Sequence, residues 1–155
     1  MITTTRKEAV TLIEESINNI IPLEDERLEK VIFAVNNDLQ VRDWVLGMPA
    51  RFSLDESIDF VRYMAVHTTA ADSVPFITVN ALFEYERGNL DSAVKMVEYA
   101  LTVNKNYPLA NLVDKMIDTI PAESLPRLRA DLDHQVVEAC MEEFTISDTE
   151  EGESL

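Results

Sequence analysis

The sequence predicts an all-α protein, a single-domain bundle or short solenoid of about seven to eight antiparallel helices. Apolar residues recur at spacings of three and four along most of the chain, which is the period of a helix. Glycine occurs only three times, and the six prolines separate the periodic segments. With 155 residues, 46% of them apolar, the chain is large enough to form one hydrophobic core. We expect no β-strand.

The sequence up to about residue 66 predicts four helices, because its periodic segments carry recognisable start or stop signals. Residues 5–8 form a capping box before a helix that Pro22 ends. A second helix is expected over residues 24–35, and a third, short helix ends at Gly47. A second capping box, at residues 53–56, opens the fourth helix.

A loop over residues 67–72 separates the fourth and fifth helices. Asp72 or Ser73 is the predicted N-cap of the fifth helix. That cap places Pro75 in the first turn, where its missing N–H costs nothing. The fifth helix is expected to end near Gly88, because glycine adopts the left-handed conformation that closes many helices.

The remaining periodic segments predict three more helices. Asn89 caps the sixth helix, and Pro108 begins the seventh. The last helix is expected from about Pro126 to Phe144, with Leu128 and Leu132 among the residues that face the core.

The domain prediction is a single helical domain over residues 1–144, followed by a disordered acidic tail over residues 145–155. The tail contains four carboxylates and almost no apolar side chains, a composition typical of disorder. The whole chain carries −16 at pH 7, so the predicted domain carries −12 without the tail.

Composition excludes several classes of protein. Nucleic acids and anionic membranes both attract clustered positive charge, whereas this chain has only 13 basic residues and 29 acidic ones. A single cysteine, Cys140, excludes an internal disulfide framework and fits a reducing compartment. The N-terminus lacks the apolar stretch of a secretory signal, and no apolar run is long enough to span a bilayer. We therefore expect a cytoplasmic protein without membrane or direct nucleic-acid contact.

Residues 74–107 have the length and pattern of one helix–turn–helix repeat. Small residues stand where two helices would approach each other, at Ala81 and Ala100, and the turn at Gly88 leads into Ala93. The segment resembles one tetratricopeptide repeat (TPR) unit. The positions that depart from the repeat pattern are Ile77, Asn80 and Lys105. Because only one copy is present, the resemblance implies a TPR-like hairpin and not a repeat scaffold.

A longer resemblance covers residues 40–126, a little over half of the chain. It depends on Arg42, Asp43, Val74, Pro75, Gly88, Ala93, Ala100, Leu101, Tyr107, Pro108, Leu109 and Ala110. This pattern resembles the C-terminal helical half of an uncharacterised family found in actinobacteria and their phages. The resemblance implies an α-helical fold and an actinobacterial or phage origin. It supplies no catalytic or binding residues.

Three potential metal ligands share one side of the last predicted helix. Asp131, His134 and Glu138 lie at positions i, i+3 and i+7, and they could hold a divalent cation if a facing helix supplied a carboxylate. A solvated acidic face is the simpler interpretation. His67 is interpreted as an exposed or helix-capping residue, and Cys140 as a small buried apolar side chain.

Three aromatic residues are candidates for partner binding. Trp44 belongs to the residue type most enriched in interface hot spots, although its apolar neighbours favour core packing. Tyr85 and Tyr99 lie in the proposed hairpin, either on a groove surface or between helices.

These observations favour a small acidic protein–protein interaction module, without catalysis, cofactor or metal, whose partner has a basic surface. If the chain comes from a phage, that partner is a host protein. The first alternative is a DNA mimic that blocks a basic nucleic-acid-binding protein. The second is a metal-dependent enzyme built on Asp131, His134 and Glu138. The sequence leaves a homodimer open.

Overall fold

The computed structural model describes residues 2–147, and eight α-helices make up most of this region. The prediction of an all-α fold is confirmed. The helices are α1 (Arg6–Asn18), α2 (Asp25–Asn37), α3 (Leu39–Leu46), α4 (Leu54–Val66), α5 (Ala70–Arg87), α6 (Leu90–Val103), α7 (Pro108–Thr119) and α8 (Leu125–Ala139). Two short 3₁₀ turns, Met48–Ala50 and Ala122–Ser124, precede α4 and α8.

Polar caps fix where several helices begin. The Thr5 hydroxyl accepts a hydrogen bond from the Glu8 N–H at 3.0 Å and caps α1. Both halves of the predicted capping box are present at Ser53 and Glu56, as expected for α4. The Asp38 carboxylate caps α3, which begins directly after α2 ends.

The predicted start of α5 is wrong. Thr69 caps this helix by accepting a hydrogen bond from the Asp72 N–H at 3.2 Å, so Asp72 lies inside the first turn. The fifth helix therefore starts earlier than predicted, and Pro75 lies one turn further inside it. Proline costs one backbone hydrogen bond there, and the burial of Pro75 and its neighbours in the core outweighs that loss.

Helix α5 is the central element, since it packs against α4, α6 and α7 and also touches α2 and α3. Helices α5 and α6 form a hairpin around Gly88, whose φ of 98° is readily adopted only by glycine. Ala81, Ala93 and Ala100 are fully buried, as expected where two helices approach closely.

The C-terminal part of the predicted domain departs from expectation. Helix α8 ends at Ala139 instead of Phe144. The chain then turns back to α1, and two short strands pair antiparallel there: β1 (Thr4–Thr5) and β2 (Thr145–Ile146). The expectation of no strand is therefore wrong for these residues.

The predicted tail boundary at residue 145 is also wrong. Ile146 is only 3% exposed and belongs to the hydrophobic core, so the folded region extends past Phe144. A single isoleucine among polar residues carries too little periodicity to reveal a strand. Residues 148–155, the rest of the predicted tail, lie outside the described residues.

Helix α8 presents a different face to the core from the predicted one. Leu128 and Leu132, predicted to face inward, are 42% and 63% exposed. Leu125, Val136 and Val137 of α8 pack against the core. Ion pairs also join α8 to the rest of the fold, from Arg129 to Glu86 and from Asp133 to Arg51. These pairs contact the body of the protein, and the two leucines are left on the surface.

Candidate interaction surface

The three aromatic candidates have different surroundings. Trp44 is 2% exposed and packs edge-on against Phe52, with the Arg51 guanidinium 4.2 Å from the ring centre. The favoured interpretation of Trp44 as a core residue is confirmed, so its side chain is not offered to a partner. Tyr85 lies between helices, and its hydroxyl donates a hydrogen bond to the Ile120 carbonyl. Only Tyr99, at 46% exposure, remains a surface candidate of the three.

The candidate metal ligands do not form a metal-binding cluster. Asp131, His134 and Glu138 are all exposed on α8. Within residues 2–147, no group of three histidine, cysteine, aspartate or glutamate side chains is arranged to hold a metal ion. The geometry therefore gives the metal interpretation no support.

His67 and Cys140 both have structural roles. His67 ends α4, where its Nδ1 lies 2.7 Å from the Tyr63 carbonyl oxygen and its ring stacks on the Tyr63 ring. Cys140 is 1% exposed, and its thiol donates a weak hydrogen bond to the Gln40 carbonyl. Burial raises the pKa of the Cys140 thiol to about 12, so the reactive thiolate is absent at neutral pH.

Most arginines of the described region are paired with carboxylates of the chain itself. Several of these pairs connect elements that are distant in sequence, such as Arg6 on α1 with Asp38 before α3, whereas Arg42–Asp43 and Arg87–Glu84 are local pairs within one helix. The pairs are Arg6–Asp38, Arg6–Glu142, Arg27–Glu15, Arg42–Asp43, Arg51–Asp133, Arg62–Glu84, Arg87–Glu84, Arg87–Asp55 and Arg129–Glu86. These ion pairs engage seven of the eight arginines of the described region, so most of the arginine charge is balanced within the fold, and Arg127 is the exception.

The exposed charge that remains is mainly negative. Many exposed carboxylates have no ion pair within residues 2–147. They are Glu14, Glu24, Asp25, Glu29, Glu56, Asp59, Asp91, Glu98, Asp114, Asp118, Glu123, Asp131, Glu138 and Glu143. The exposed cations without an ion pair in the same region are Lys7, Lys95, Lys105, Lys115 and Arg127. The unpaired charge on the surface is therefore more strongly negative, relative to its positive charge, than the composition alone implies.

The most buried charge of the described region is Glu84 on α5, which is 0% exposed. Its carboxylate accepts hydrogen bonds from Arg62 on α4 at 2.7 Å, from Arg87 at 3.2 Å and from the Asn89 amide at 2.8 Å. Asp55 at the start of α4 also pairs with Arg87. This network joins α4, α5 and the beginning of α6, and every partner serves the fold.

A cleft of about 530 Å³, lined by both polar and apolar residues, lies between the N-terminal part of α1, the α2–α3 junction, the first turns of α5 and the C-terminal strand. Its charged residues are ion-paired, because Arg6 makes hydrogen bonds to both oxygens of Asp38 at 3.0 to 3.1 Å and Arg42 pairs with Asp43. Burial raises the pKa of Tyr107, so its hydroxyl stays protonated at neutral pH. Among the described residues that line the cleft there is no cysteine, histidine or lysine.

A second, smaller cavity of about 290 Å³ is mainly apolar and lies between the C-terminal end of α1 and the middle of α4. We call it the α1–α4 groove. Its lining residues are Ser16, Ile17, Ile20, Pro22, Leu23, Glu56, Asp59, Phe60 and Tyr63. The sequence does not reveal this site, because Ile17 and Ile20 continue the helical spacing of Val10 and Ile13 and so indicate one inward face of the first helix, and Pro22 indicates its end.

No protein-family model, no curated protein and no solved structure matches the chain. None of the helices within residues 2–147 is long and apolar enough to cross a membrane.

Proposed function

We propose that this protein is a non-catalytic interaction module that binds a protein with a basic surface. The observation that carries the proposal is the asymmetry of free charge: seven of the eight arginines in residues 2–147 are ion-paired within the fold, while many exposed carboxylates have no ion pair in the same region. A surface of one dominant sign attracts partners of the opposite sign and accelerates their association.

DNA mimicry is the alternative use of the same charge. A mimic needs one continuous acidic face, whereas Lys95 on α6 and Lys115 on α7 are exposed among the carboxylates of their helices. Asp114 lies directly beside Lys115 in sequence. This interleaving favours recognition of a basic protein over imitation of a phosphate backbone.

The test is capture from an actinobacterial lysate on the immobilised full-length chain, at low and at moderate salt. The resemblance to an actinobacterial and phage family motivates the choice of lysate. A matched chain in which Asp114, Asp118, Asp131 and Glu138 become the corresponding amides removes four exposed charges and leaves the core intact. A second chain with Lys95→Gln and Lys115→Gln controls for surface substitution as such.

We expect a basic protein that binds the native chain at low salt, binds less at moderate salt and binds less to the amide variant. The captured protein is then purified and its affinity is measured directly. Capture of nothing above the bare matrix, or a partner insensitive to salt and to the amide changes, would contradict the proposal. A partner displaced by added DNA would favour mimicry instead.

A further inference from the structure

We propose that the α1–α4 groove is the docking site for an amphipathic helix of the partner, whose apolar anchor residues are flanked by lysine or arginine. This inference rests on the proposed function, and it names the surface and the chemistry of the partner. Its basis is the geometry of the groove, the exposure of Ile20 and the sign of the charges at the rim.

The groove has an apolar floor and an apolar wall. Leu23 and Phe60 form the buried floor, at 2% and 6% exposure. Ile17 is half-buried, whereas Ile20 stands 84% exposed at the edge. A cavity of about 290 Å³ is small for a cofactor and suits one or two apolar side chains from another protein.

The conformation of Ile20 keeps its side chain on the surface. Its φ of 54° lies in the left-handed region, which β-branched residues rarely adopt. The turn is held on both sides, since the Ile21 N–H donates to the Glu15 carbonyl and the Tyr63 hydroxyl donates to the Leu23 carbonyl at 2.6 Å. These hydrogen bonds constrain the backbone that presents the Ile20 side chain, and a constrained backbone lowers the entropic cost of association.

The charges around the groove select the partner. Its lining includes the carboxylates of Glu56 and Asp59 but no lysine or arginine. Asp59 is exposed and has no ion pair within residues 2–147, and Glu24 and Asp25 follow directly after the floor residue Leu23. Cations on the partner would complement this rim, whereas the rim repels an anionic membrane or an acidic segment.

The occupant that fits these features is a helix. A short open groove with an apolar floor accepts anchors at positions i and i+3 or i+4 of an amphipathic helix, and the polar face of that helix stays in water. Lysine or arginine beside the anchors then lies against Glu56 and Asp59. The same groove does not offer the free sheet edge that an extended strand needs.

The test uses a defined probe, a fluorescent synthetic peptide with leucine and lysine at helical spacing, and measures binding by fluorescence anisotropy. The matched peptide replaces every lysine with glutamate. The full chain is compared with Ile20→Asp, Ile20→Gly and Asp59→Lys variants, and with Leu132→Asp as the control. Leu132 on α8 is also an exposed apolar residue, at 63% exposure, but it lies outside the groove. Circular dichroism checks that each variant is folded. Ile20→Gly removes the side chain without backbone strain, because glycine readily adopts a φ of 54°.

We expect the leucine–lysine peptide to bind the native chain and the Leu132→Asp chain equally. The Ile20 and Asp59 variants should bind it about tenfold more weakly. The leucine–glutamate peptide should not bind. Equal binding to the Ile20 variants, or binding of the glutamate peptide, would overturn the inference. Ile20-dependent binding to vesicles with anionic lipid would overturn it in favour of a membrane surface.

The two proposals can fail separately. If the captured basic protein binds the Ile20→Asp chain as tightly as the native chain, the groove assignment is wrong and the proposed function stands. If the lysate yields no basic partner, the proposed function fails whatever the peptide does, and peptide binding then reports only the chemistry of the groove.

Discussion

Replacing Glu84 with alanine should be among the most destabilising single changes at a charged position. The side chain is 1% exposed and accepts hydrogen bonds from Arg62, Arg87 and Asn89. Removing one member of a buried ion pair typically costs about 3–5 kcal/mol. The arginines here are partly exposed, at 52% and 35%, so water can solvate them after the change. We therefore expect a loss of about 2–4 kcal/mol.

Two further variants separate burial from charge. Glu84→Gln keeps the volume and one acceptor oxygen, but it turns an amide NH₂ toward the arginines, and we expect a loss of about 1–2 kcal/mol. Asp55 pairs with Arg87 in the same network, yet its side chain is 78% exposed. Asp55→Ala should therefore change stability by at most about 0.5 kcal/mol.

The assay is urea unfolding followed by the fluorescence of Trp44, the single tryptophan, with circular dichroism as the second probe. Coincident transitions would establish two-state behaviour and allow free energies to be compared. The reasoning would be refuted if Glu84→Ala cost less than about 1 kcal/mol, or if Asp55→Ala cost as much as Glu84→Ala.

Three other predictions concern single contacts. Cys140 should resist an aromatic disulfide reagent in the native protein and react fully in denaturant, as thiol titration would show. Ile146→Ala should lower the free energy of unfolding by about 2–4 kcal/mol in urea titrations, whereas a mobile residue would show no effect. The Glu8–Lys30 ion pair lowers the pKa of Glu8 and raises that of Lys30. The stabilisation by this pair should therefore be lost as the pH falls through the lowered pKa of Glu8 or rises through the raised pKa of Lys30. In a plot of the free energy of unfolding against pH, Glu8→Gln should flatten the acid side.

Sequence signals located helix ends well where one residue type has one physical role. Ser53 and Glu56 form the capping box that their spacing indicates. Gly88 ends α5 in the left-handed conformation, and Gly47 ends α3. These predictions succeed because caps and turns depend on neighbouring residues, so the chain carries the whole signal locally.

The wrong predictions concern choices that the tertiary structure decides. Thr69 and Asp72 both suit an N-cap, and a proline at the sixth helical position argued for the later start. The packed core of α5 outweighs that proline. Strand pairing between Thr5 and Thr145 joins the two ends of the domain, and no local pattern can report a contact at that separation.

The candidate site was harder to predict, because it depends on exposure. Trp44 has the side chain expected of a hot spot and is buried, whereas Ile20 reads as an ordinary helix-face residue and is exposed. The difference comes from the positive φ at Ile20, which breaks the helical register just beyond α1. Periodicity assumes that the helix continues, so it assigns such a residue to the wrong side.

The positions of the exposed apolar side chains give a related argument about where a partner binds. Helix α8 pairs Arg129 and Asp133 with the body of the protein and leaves Leu128 and Leu132 outside, so exposed apolar side chains occur in two places. The stripe on α8 has no concave floor, whereas the α1–α4 groove has one, with Phe60 at its base. An anchor side chain loses contact with water only where the receiving surface surrounds it. Binding energy should therefore concentrate at the groove, and the leucines of α8 serve as the natural control.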